Sequence, residues 1–129
     1  MVSDYNGSDR HKRGKQRLAS ICRRHGYLAA GDKDDEFVVV RPGGTSCYVI
    51  DVIASNGVRV LAIEIDGYKG HSTRRGLLKD MHRTAEICAL VKDIECYRFA
   101  FWQLANCPDS LIAQELGLIE NAQRSYDHK

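Results

Sequence analysis

Three carboxylic acids interrupt the most apolar part of the sequence. Asp51 precedes the tripeptide Ser55-Asn56-Gly57, Glu64 and Asp66 follow it, and most residues around them are Val, Ile, Leu or Tyr. Asn-Gly between two β-branched runs is the strongest short-range signal of a tight β-hairpin turn. The sequence therefore predicts a hairpin whose strands carry the acids, and carboxylates gathered in this way are ligands for hard divalent cations.

The register of this hairpin decides whether the acids meet. If the Asn-Gly pair forms a two-residue loop, Asp51 lies opposite Ala62. Because side chains alternate between the faces of a strand, Asp51, Glu64 and Asp66 then point the same way. Glu64 becomes the diagonal neighbour of Asp51, at about 7–8 Å. The opposite face is expected to be a core face made of Ile50, Val52, Leu61, Ile63 and Ile65.

Neighbouring carboxylates on buried strands need something that offsets their repulsion and their loss of solvation. A bound Mg²⁺ or Mn²⁺ would do so, since these ions prefer oxygen ligands and Mg²⁺ usually takes one or two carboxylates together with water and phosphate. We therefore expect a divalent-cation site at Asp51, Glu64 and Asp66. The alternative is that these acids cap strand ends or pair with Arg and Lys side chains.

Length and charge are those of an ordinary globular protein. The 129 residues fit one domain, with loose tails expected at 1–9 and 120–129, and the net charge is only +2. The basic residues are clustered, however, in segments 10–24 and 69–83, which contain one acid between them. Two basic clusters beside an acidic hairpin are expected where a phosphate polymer is brought to a metal, although solvated helix faces would look the same.

Neither a secretory signal peptide nor a transmembrane segment is visible, because the apolar runs are short. We therefore expect an intracellular, cytoplasmic protein without a membrane partner. The five cysteines are widely spaced and form no CxxC pair, so they are expected to be mostly buried thiols.

Hydrophobic periodicity and turn residues predict the remaining elements. Leu18, Ile21 and Cys22 mark the apolar face of a first helix, which Gly26 ends. A strand reached through a helix should join the sheet parallel to its neighbour by a right-handed crossover. The result is an α/β fold with a mixed central sheet and helices on both faces. The predicted elements in order are a helix at 10–25, a strand at 37–41, the hairpin up to Asp66, a helix at 74–93, a strand at 94–104 and a helix at 108–116.

This order, with Asp51 on one strand and Glu64-Ile65-Asp66 on the next, resembles the PD-(D/E)XK nuclease superfamily and its restriction-endonuclease-like αβββαβα fold. Within it, the chain is most similar to the small very-short-patch-repair-like endonucleases. The similarity covers about residues 10 to 104. The matching residues are Glu64, Asp66, Gly67 and His71 in an E-x-D-G-x-x-x-H signature, Asp80 and Arg83 on the following helix, and Arg98 and Phe99 on the last strand.

The resemblance implies a Mg²⁺- or Mn²⁺-dependent endonuclease that hydrolyses phosphodiester bonds, with DNA as the expected substrate and structure-selective or weakly sequence-specific cutting. Asp51 and Glu64 would hold the metal together with the backbone carbonyl of Ile65, and Asp66 would be a further ligand.

Proton transfer and charge neutralisation fall to other residues in this interpretation. Asp66 stands where the superfamily has a lysine, so the ammonium group would come from Lys79, or else from Lys69. His71 would orient a water or protonate the leaving group. Phosphate contacts are expected from Arg13, Arg17 and Arg24 on the first helix and from Arg74, Arg75 and Arg83 around the second.

Other interpretations of the same residues stay open. One is a nuclease-fold nucleic-acid-binding module that has lost catalysis, which is favoured by Asp66 and by Gln16 at the place of a first-helix glutamate. A dimeric Holliday-junction-resolvase-like enzyme is another, since symmetric cutting needs a homodimer. The acids could also pair with the basic helices in a metal-free interaction protein, and Arg98 could be structural through Asp80 or Glu86. Zinc bound by His71, His82 and Cys88 is disfavoured by their helical spacing.

Overall fold

The computed structural model describes residues 9–33, 35–40, 43, 47–66 and 74–119; at 47, 74–77, 79 and 80 it describes the backbone alone. The helices are α1 (Asp9–Arg24), α2 (Arg74–Leu90), α3 (Phe101–Asn106) and α4 (Asp109–Glu115). The strands are β1 (Leu28–Ala30), β2 (Phe37–Val40), β3 (Cys47–Ile50), β4 (Val52–Ser55), β5 (Val60–Asp66) and β6 (Ile94–Ala100). The chain has the predicted α/β architecture, with a mixed sheet between α1 on one face and α2 on the other.

Both ends of α1 carry residues that favour a helix. Asp9 lies in the first turn and two arginines lie in the last, so the side-chain charges complement the helix dipole. Gly26, at φ 86°, follows the helix in the left-handed conformation of a C-cap. The buried positions of Leu18, Ile21 and Cys22 confirm the predicted apolar stripe.

The main sheet has the strand order β1-β4-β5-β6. β4 and β5 are antiparallel, and β6 runs parallel to β5 after the connection through α2, as the sequence predicts. β1, which the sequence did not indicate, pairs antiparallel with β4. β2 and β3 form a separate two-stranded sheet, so the predicted meander of three strands in one sheet is wrong.

The loop between β4 and β5 is longer than the predicted two-residue turn. Ser55 pairs with Val60, so residues 56–59 form the loop. The Asn56 side chain explains the difference, because its Oδ1 accepts the amide N–H groups of Val58 and Arg59 at 2.9 and 2.7 Å. The pairing therefore shifts by two residues, and a shift of two leaves every side chain on its predicted face of the strand.

Asp51 forms a bend that divides the predicted strand into β3 and β4. Side-chain alternation breaks at this bend. Val52 packs with the core cluster that faces α1, together with Leu61, Ile63 and Ile65 of β5. Ile50 instead belongs to a second cluster, in which it lies with Val39, Ala62, Ile87 and Ile94. The predicted core face is therefore correct except for Ile50.

The strand predicted at 94–104 ends at Ala100, and a short helix, α3, follows it. Gln103 explains the early end, since its Oε1 accepts the amide N–H of Ala100 at 2.8 Å and so caps the first turn. Phe101 and Leu104, three residues apart, are both buried in the core cluster that also contains α1 residues. The last predicted helix corresponds to α4.

Among the described residues, no helix combines the length and the apolar character that crossing a membrane requires. The loose tails predicted at 1–9 and 120–129 lie outside the described residues, except for Asp9, which begins α1.

Candidate active site

Asp51 and Glu64 lie side by side at the point where the β3–β4 bend faces the middle of β5. They stand one step beyond the Val52–Ile63 pair of the ladder, so the two acids are direct cross-strand neighbours rather than the predicted diagonal ones. Each carboxyl group is among the causes of the pKa shift of the other, so the two side chains lie within interaction range. Both residues are buried, at 7% and 8% exposure. The structure thus brings together two of the three acids that the sequence singled out.

Three elements hold Asp51 in place. The amide N–H of Ile65 donates to its Oδ2 at 2.8 Å, and His11 Nε2 of α1 lies 3.1 Å from its Oδ1. Behind it, Gly31 packs so closely that an added Cβ would lie 2.0 Å from the Asp51 carbonyl oxygen. Gly31 also has φ +117°, so no other residue fits there. The sequence indicated neither His11 nor Gly31, since no local pattern marks a partner so distant in the chain.

The two carboxyl groups differ in their proton affinity. Burial raises the pKa of Glu64 to about 8, with the neighbouring charge of Asp51 as the next cause, while Arg83 and Arg98 act against it. Burial would also raise the pKa of Asp51, but hydrogen bonds from His11 and the Ile65 amide outweigh burial and hold it below the usual range. At neutral pH and without a metal, the pair therefore tends to carry one negative charge.

Arg83 of α2 reaches into this site. Its Nη2 donates to Glu64 Oε1 at 3.0 Å and to the Val49 carbonyl oxygen at 2.5 Å, and its guanidinium lies 5.2 Å from the centre of the Tyr48 ring. The sequence predicted Arg83 as a phosphate contact. In the structure its guanidinium pairs with Glu64 and ties α2 to β3. The predicted phosphate contact stays a prediction.

Asp66, the third predicted acid, has a different partner. Arg98 of β6 donates to Asp66 Oδ1 at 2.9 Å and to Thr84 Oγ1 at 3.0 Å. The sequence offered Asp80 or Glu86 as the structural partner of Arg98, and the contact observed is to Asp66. Asp66 is more exposed than Asp51 and Glu64, and its carboxylate is paired with Arg98.

Glu64 also forms part of the wall of a cavity between the sheet and α2. The cavity measures about 270 Å³ and is lined by Ala62, Glu64, Thr84, Ile87, Cys96, Tyr97 and Arg98. Cys96 Sγ lies 3.5 Å from Cys88 Sγ at its edge. Of the described cysteines only Cys22 is buried, while Cys88 is exposed and Cys96 and Cys107 are intermediate, so the expectation of mostly buried thiols is wrong for them.

The basic residues of α1 divide into two groups. Arg17 donates to Asp109 Oδ1 at 2.9 Å, to the Cys107 carbonyl at 2.6 Å and to the Leu104 carbonyl, and Arg24 pairs with Asp109 Oδ2 at 2.8 Å. These contacts tie α1 to α3 and α4 and engage the Arg17 guanidinium within the protein. The phosphate contacts predicted for Arg17 and Arg24 stay predictions. Arg10, Lys12 and Arg13 lie exposed near the start of the helix, on either side of His11.

The remaining predicted site residues have no described side chains. Lys69 and His71 lie outside the described residues, and the side chains of Lys79, Arg74 and Arg75 do as well, although these three belong to α2. Residue 79 lies one helical turn before Arg83 on α2. The backbone thus places the candidate ammonium position on the helix that reaches Glu64.

The donor set at the pair fits a hard divalent cation. Within the described part of the chain, no three His, Cys, Asp or Glu side chains are grouped to enclose a metal. Mg²⁺, however, commonly uses one or two carboxylates and takes its other ligands from water and phosphate. Asp51 and Glu64 supply two oxygen donors. A bound cation would offset the repulsion between the two buried groups when both are ionised.

No protein-family model matches this chain, and neither a curated protein nor a solved structure matches it. The function of the site therefore has to be inferred from its own geometry and charges.

Proposed function

We propose that the protein is a divalent-metal-dependent endonuclease of the PD-(D/E)XK type, which hydrolyses phosphodiester bonds of DNA with Mg²⁺ or Mn²⁺. One observation carries the proposal: Asp51 and Glu64 are buried side by side on neighbouring strands of an otherwise apolar sheet. Buried carboxyl pairs with perturbed pKa values are concentrated at functional sites. A shared hard cation is the ligand that best matches two adjacent carboxylate oxygens.

In this mechanism, Asp51 and Glu64 would hold the metal, and the Ile65 carbonyl would be a further ligand. The bound ion would lower the pKa of a water molecule and stabilise the charge that develops on the phosphate. The Ile65 amide N–H donates to Asp51 Oδ2, and Arg83 donates to Glu64 Oε1. Orientation fixed before the substrate arrives is the main contribution that such contacts make to catalysis.

Nucleic acid would approach along the start of α1. His11 contacts Asp51, so the exposed side chains of Arg10, Lys12 and Arg13 lie on the same end of the helix as the acid pair. Contacts of this kind bind phosphates and position the polymer without reading its sequence. Cutting that depends on the structure of the DNA is therefore the expected specificity, and Lys79 is the first candidate for a cation near the attacked phosphate.

The test is a cleavage assay on single-stranded, duplex, flap and four-way-junction DNA and on RNA, with Mg²⁺, Mn²⁺ or EDTA. Glu64→Gln removes one proposed ligand, and Glu115→Gln is the matched control, since Glu115 is an exposed residue at the end of α4. We expect metal-dependent cutting that Glu64→Gln loses and Glu115→Gln keeps. Cutting that survives EDTA or Glu64→Gln would overturn the proposal.

A second candidate is a nucleic-acid-binding module without catalysis. The observation in its favour is that each acid of the pair already has a cationic or hydrogen-bonding partner within the protein, Arg83 for Glu64 and His11 for Asp51. In that case the same assay would give binding without cutting. Mn²⁺ titration by calorimetry would then show no heat in the wild-type protein or in Asp51→Ala.

A further inference from the structure

His11 is a buried histidine on α1 that the nuclease interpretation of the sequence did not use. Its side chain is 4% exposed and its Nε2 lies 3.1 Å from Asp51 Oδ1, across 40 residues of sequence. A buried polar contact between a helix and a strand bend needs a reason, because both partners lose solvation when it forms. We propose that His11 is a positioning residue, which orients the Asp51 carboxylate so that it can share a divalent cation with Glu64.

The geometry of Asp51 supports this role. Its Oδ2 accepts the Ile65 amide N–H at 2.8 Å, and His11 engages the other oxygen. Two donors on two different oxygens fix the plane of the carboxylate. Each oxygen keeps a second lone pair, and Glu64 lies on the neighbouring strand one step beyond the Val52–Ile63 pair, next to the carboxylate. Without His11, Asp51 would keep only the contacts from β5, the Ile65 amide and the neighbouring Glu64.

The packing of α1 brings the histidine within reach. Gly14, one turn along the helix, lies against β5 so closely that an added Cβ would be 3.0 Å from Ile65 Cδ1 and 3.0 Å from Leu104 Cδ1. A glycine here lets the helix axis approach the sheet. Phe101 meets the imidazole edge to face, with ring centres 6.5 Å apart at 71°, and so limits its rotation. Both contacts hold the Nε2 atom at a fixed position relative to Asp51.

The inference rests on the proposed metal site, and a matched set of variants tests it. His11→Gln places an amide N–H close to the position of Nε2. The side chain of His11→Asn carries the same amide group but is one methylene group shorter, so its N–H falls short of that position. His11→Leu removes the donor and keeps an apolar side chain in the buried site. His25→Asn is the control, because His25 is exposed just beyond the end of α1.

Mn²⁺ affinity is measured by EPR titration on variants that circular dichroism shows to be folded, and the cleavage rate is measured at limiting and at saturating Mn²⁺. Loss of a group that orients a metal ligand typically weakens binding by about 10- to 100-fold. We expect that loss in His11→Asn and His11→Leu, with His11→Gln and His25→Asn close to wild type. The defect in cleavage should shrink at saturating Mn²⁺, which a purely structural role of His11 would not produce.

Two results would overturn the inference, and they can be told apart. If Asp51→Asn loses Mn²⁺ binding while folded His11→Asn and His11→Leu keep wild-type affinity, His11 does not position the ligand, and the proposed metal site stands. If the wild-type protein binds no Mn²⁺ and does not cut nucleic acid, the proposed function and the role of His11 fail together.

Discussion

Replacing Glu64 by Gln should stabilise the metal-free protein at neutral and alkaline pH. Glu64 is 8% exposed and lies beside the Asp51 carboxylate, so its ionised form is unfavourable in the folded state. Glutamine keeps the shape of the side chain and an oxygen that can accept from Arg83, but it carries no charge. The substitution therefore removes a repulsion at little cost in packing, although it removes the proposed metal ligand.

The pH dependence gives the magnitude of this effect. Burial and Asp51 raise the pKa of Glu64 from 4.5 to about 8 in the folded protein. The folded state thus binds the proton more tightly than the unfolded state, and the free energy of unfolding falls as the pH rises between these two values. Each pH unit in that window removes about 1.4 kcal/mol, so the loss at pH 7 is on the order of 3 kcal/mol. Asp51, whose pKa is lowered, changes stability only in more acidic solution.

Urea unfolding at pH 5, 6, 7 and 8 in EDTA measures this prediction. The wild-type free energy should fall with pH over the range, and Glu64→Gln should flatten the curve and lie above wild type at pH 7 and 8. Glu115→Gln, an exposed control, should keep the wild-type slope. Adding Mg²⁺ should then raise the stability of the wild type in a concentration-dependent way and leave Glu64→Gln unchanged. A Glu64→Gln protein that is less stable than wild type with the same pH slope would refute the reasoning.

Two further predictions concern the residues that support the site. Gly31→Ala should lower the free energy of unfolding, measured in urea, by about 3–5 kcal/mol, because it adds a backbone clash to an unfavourable φ. Gly57 has φ +89° and open space around it, so Gly57→Ala should lower that free energy by only about 1–2 kcal/mol. Equal losses in the two variants would contradict the close approach of Gly31 to Asp51. Arg17→Met should lower the free energy of unfolding by about 2 kcal/mol, since it removes several partly buried hydrogen bonds. Arg13→Met should leave that free energy unchanged and weaken salt-dependent DNA binding. A binding defect confined to Arg17→Met would reverse these assignments.

The acid pair could be predicted from sequence even though the turn was predicted wrongly. The side chain of Asn56 lengthens the loop by accepting two backbone N–H groups, so the register differs from that of a two-residue turn. The difference is an even number of residues, and the side-chain period of a strand is two. Asp51 and Glu64 therefore remain neighbours in either register. A shift of two residues therefore leaves the prediction of neighbouring acids intact, whereas the bend at Asp51, which moves Ile50 to the second cluster, could not be predicted.

The partners of these acids could not be predicted in the same way. His11 and Arg83 reach the pair from helices on opposite faces of the sheet, and no periodic pattern in the chain specifies where such long side chains end. The contacts of Arg17 could not be predicted for the same reason. Its position in the sequence is that of a polar surface residue, but its guanidinium donates to the Cys107 carbonyl after α3 and to Asp109 at the start of α4. Sequence patterns fix which face of an element is buried, while the identity of a polar contact depends on how the layers are packed.

Asp51 has a structural role at the bend in addition to its proposed role as a metal ligand. With the observed register, a continuous β4–β5 ladder would set Ile50 opposite Ile65, and a backbone carbonyl would accept the Ile65 amide. The chain bends instead, and the Asp51 side chain accepts that amide. Asp51 thus caps the end of the ladder, as one of the alternatives for these acids proposed, and it also faces Glu64. Substituting Asp51 must therefore disturb the backbone as well as any metal site. Glu64 accepts no backbone hydrogen bond among the contacts described, so its substitution removes the proposed metal ligand without removing a backbone contact.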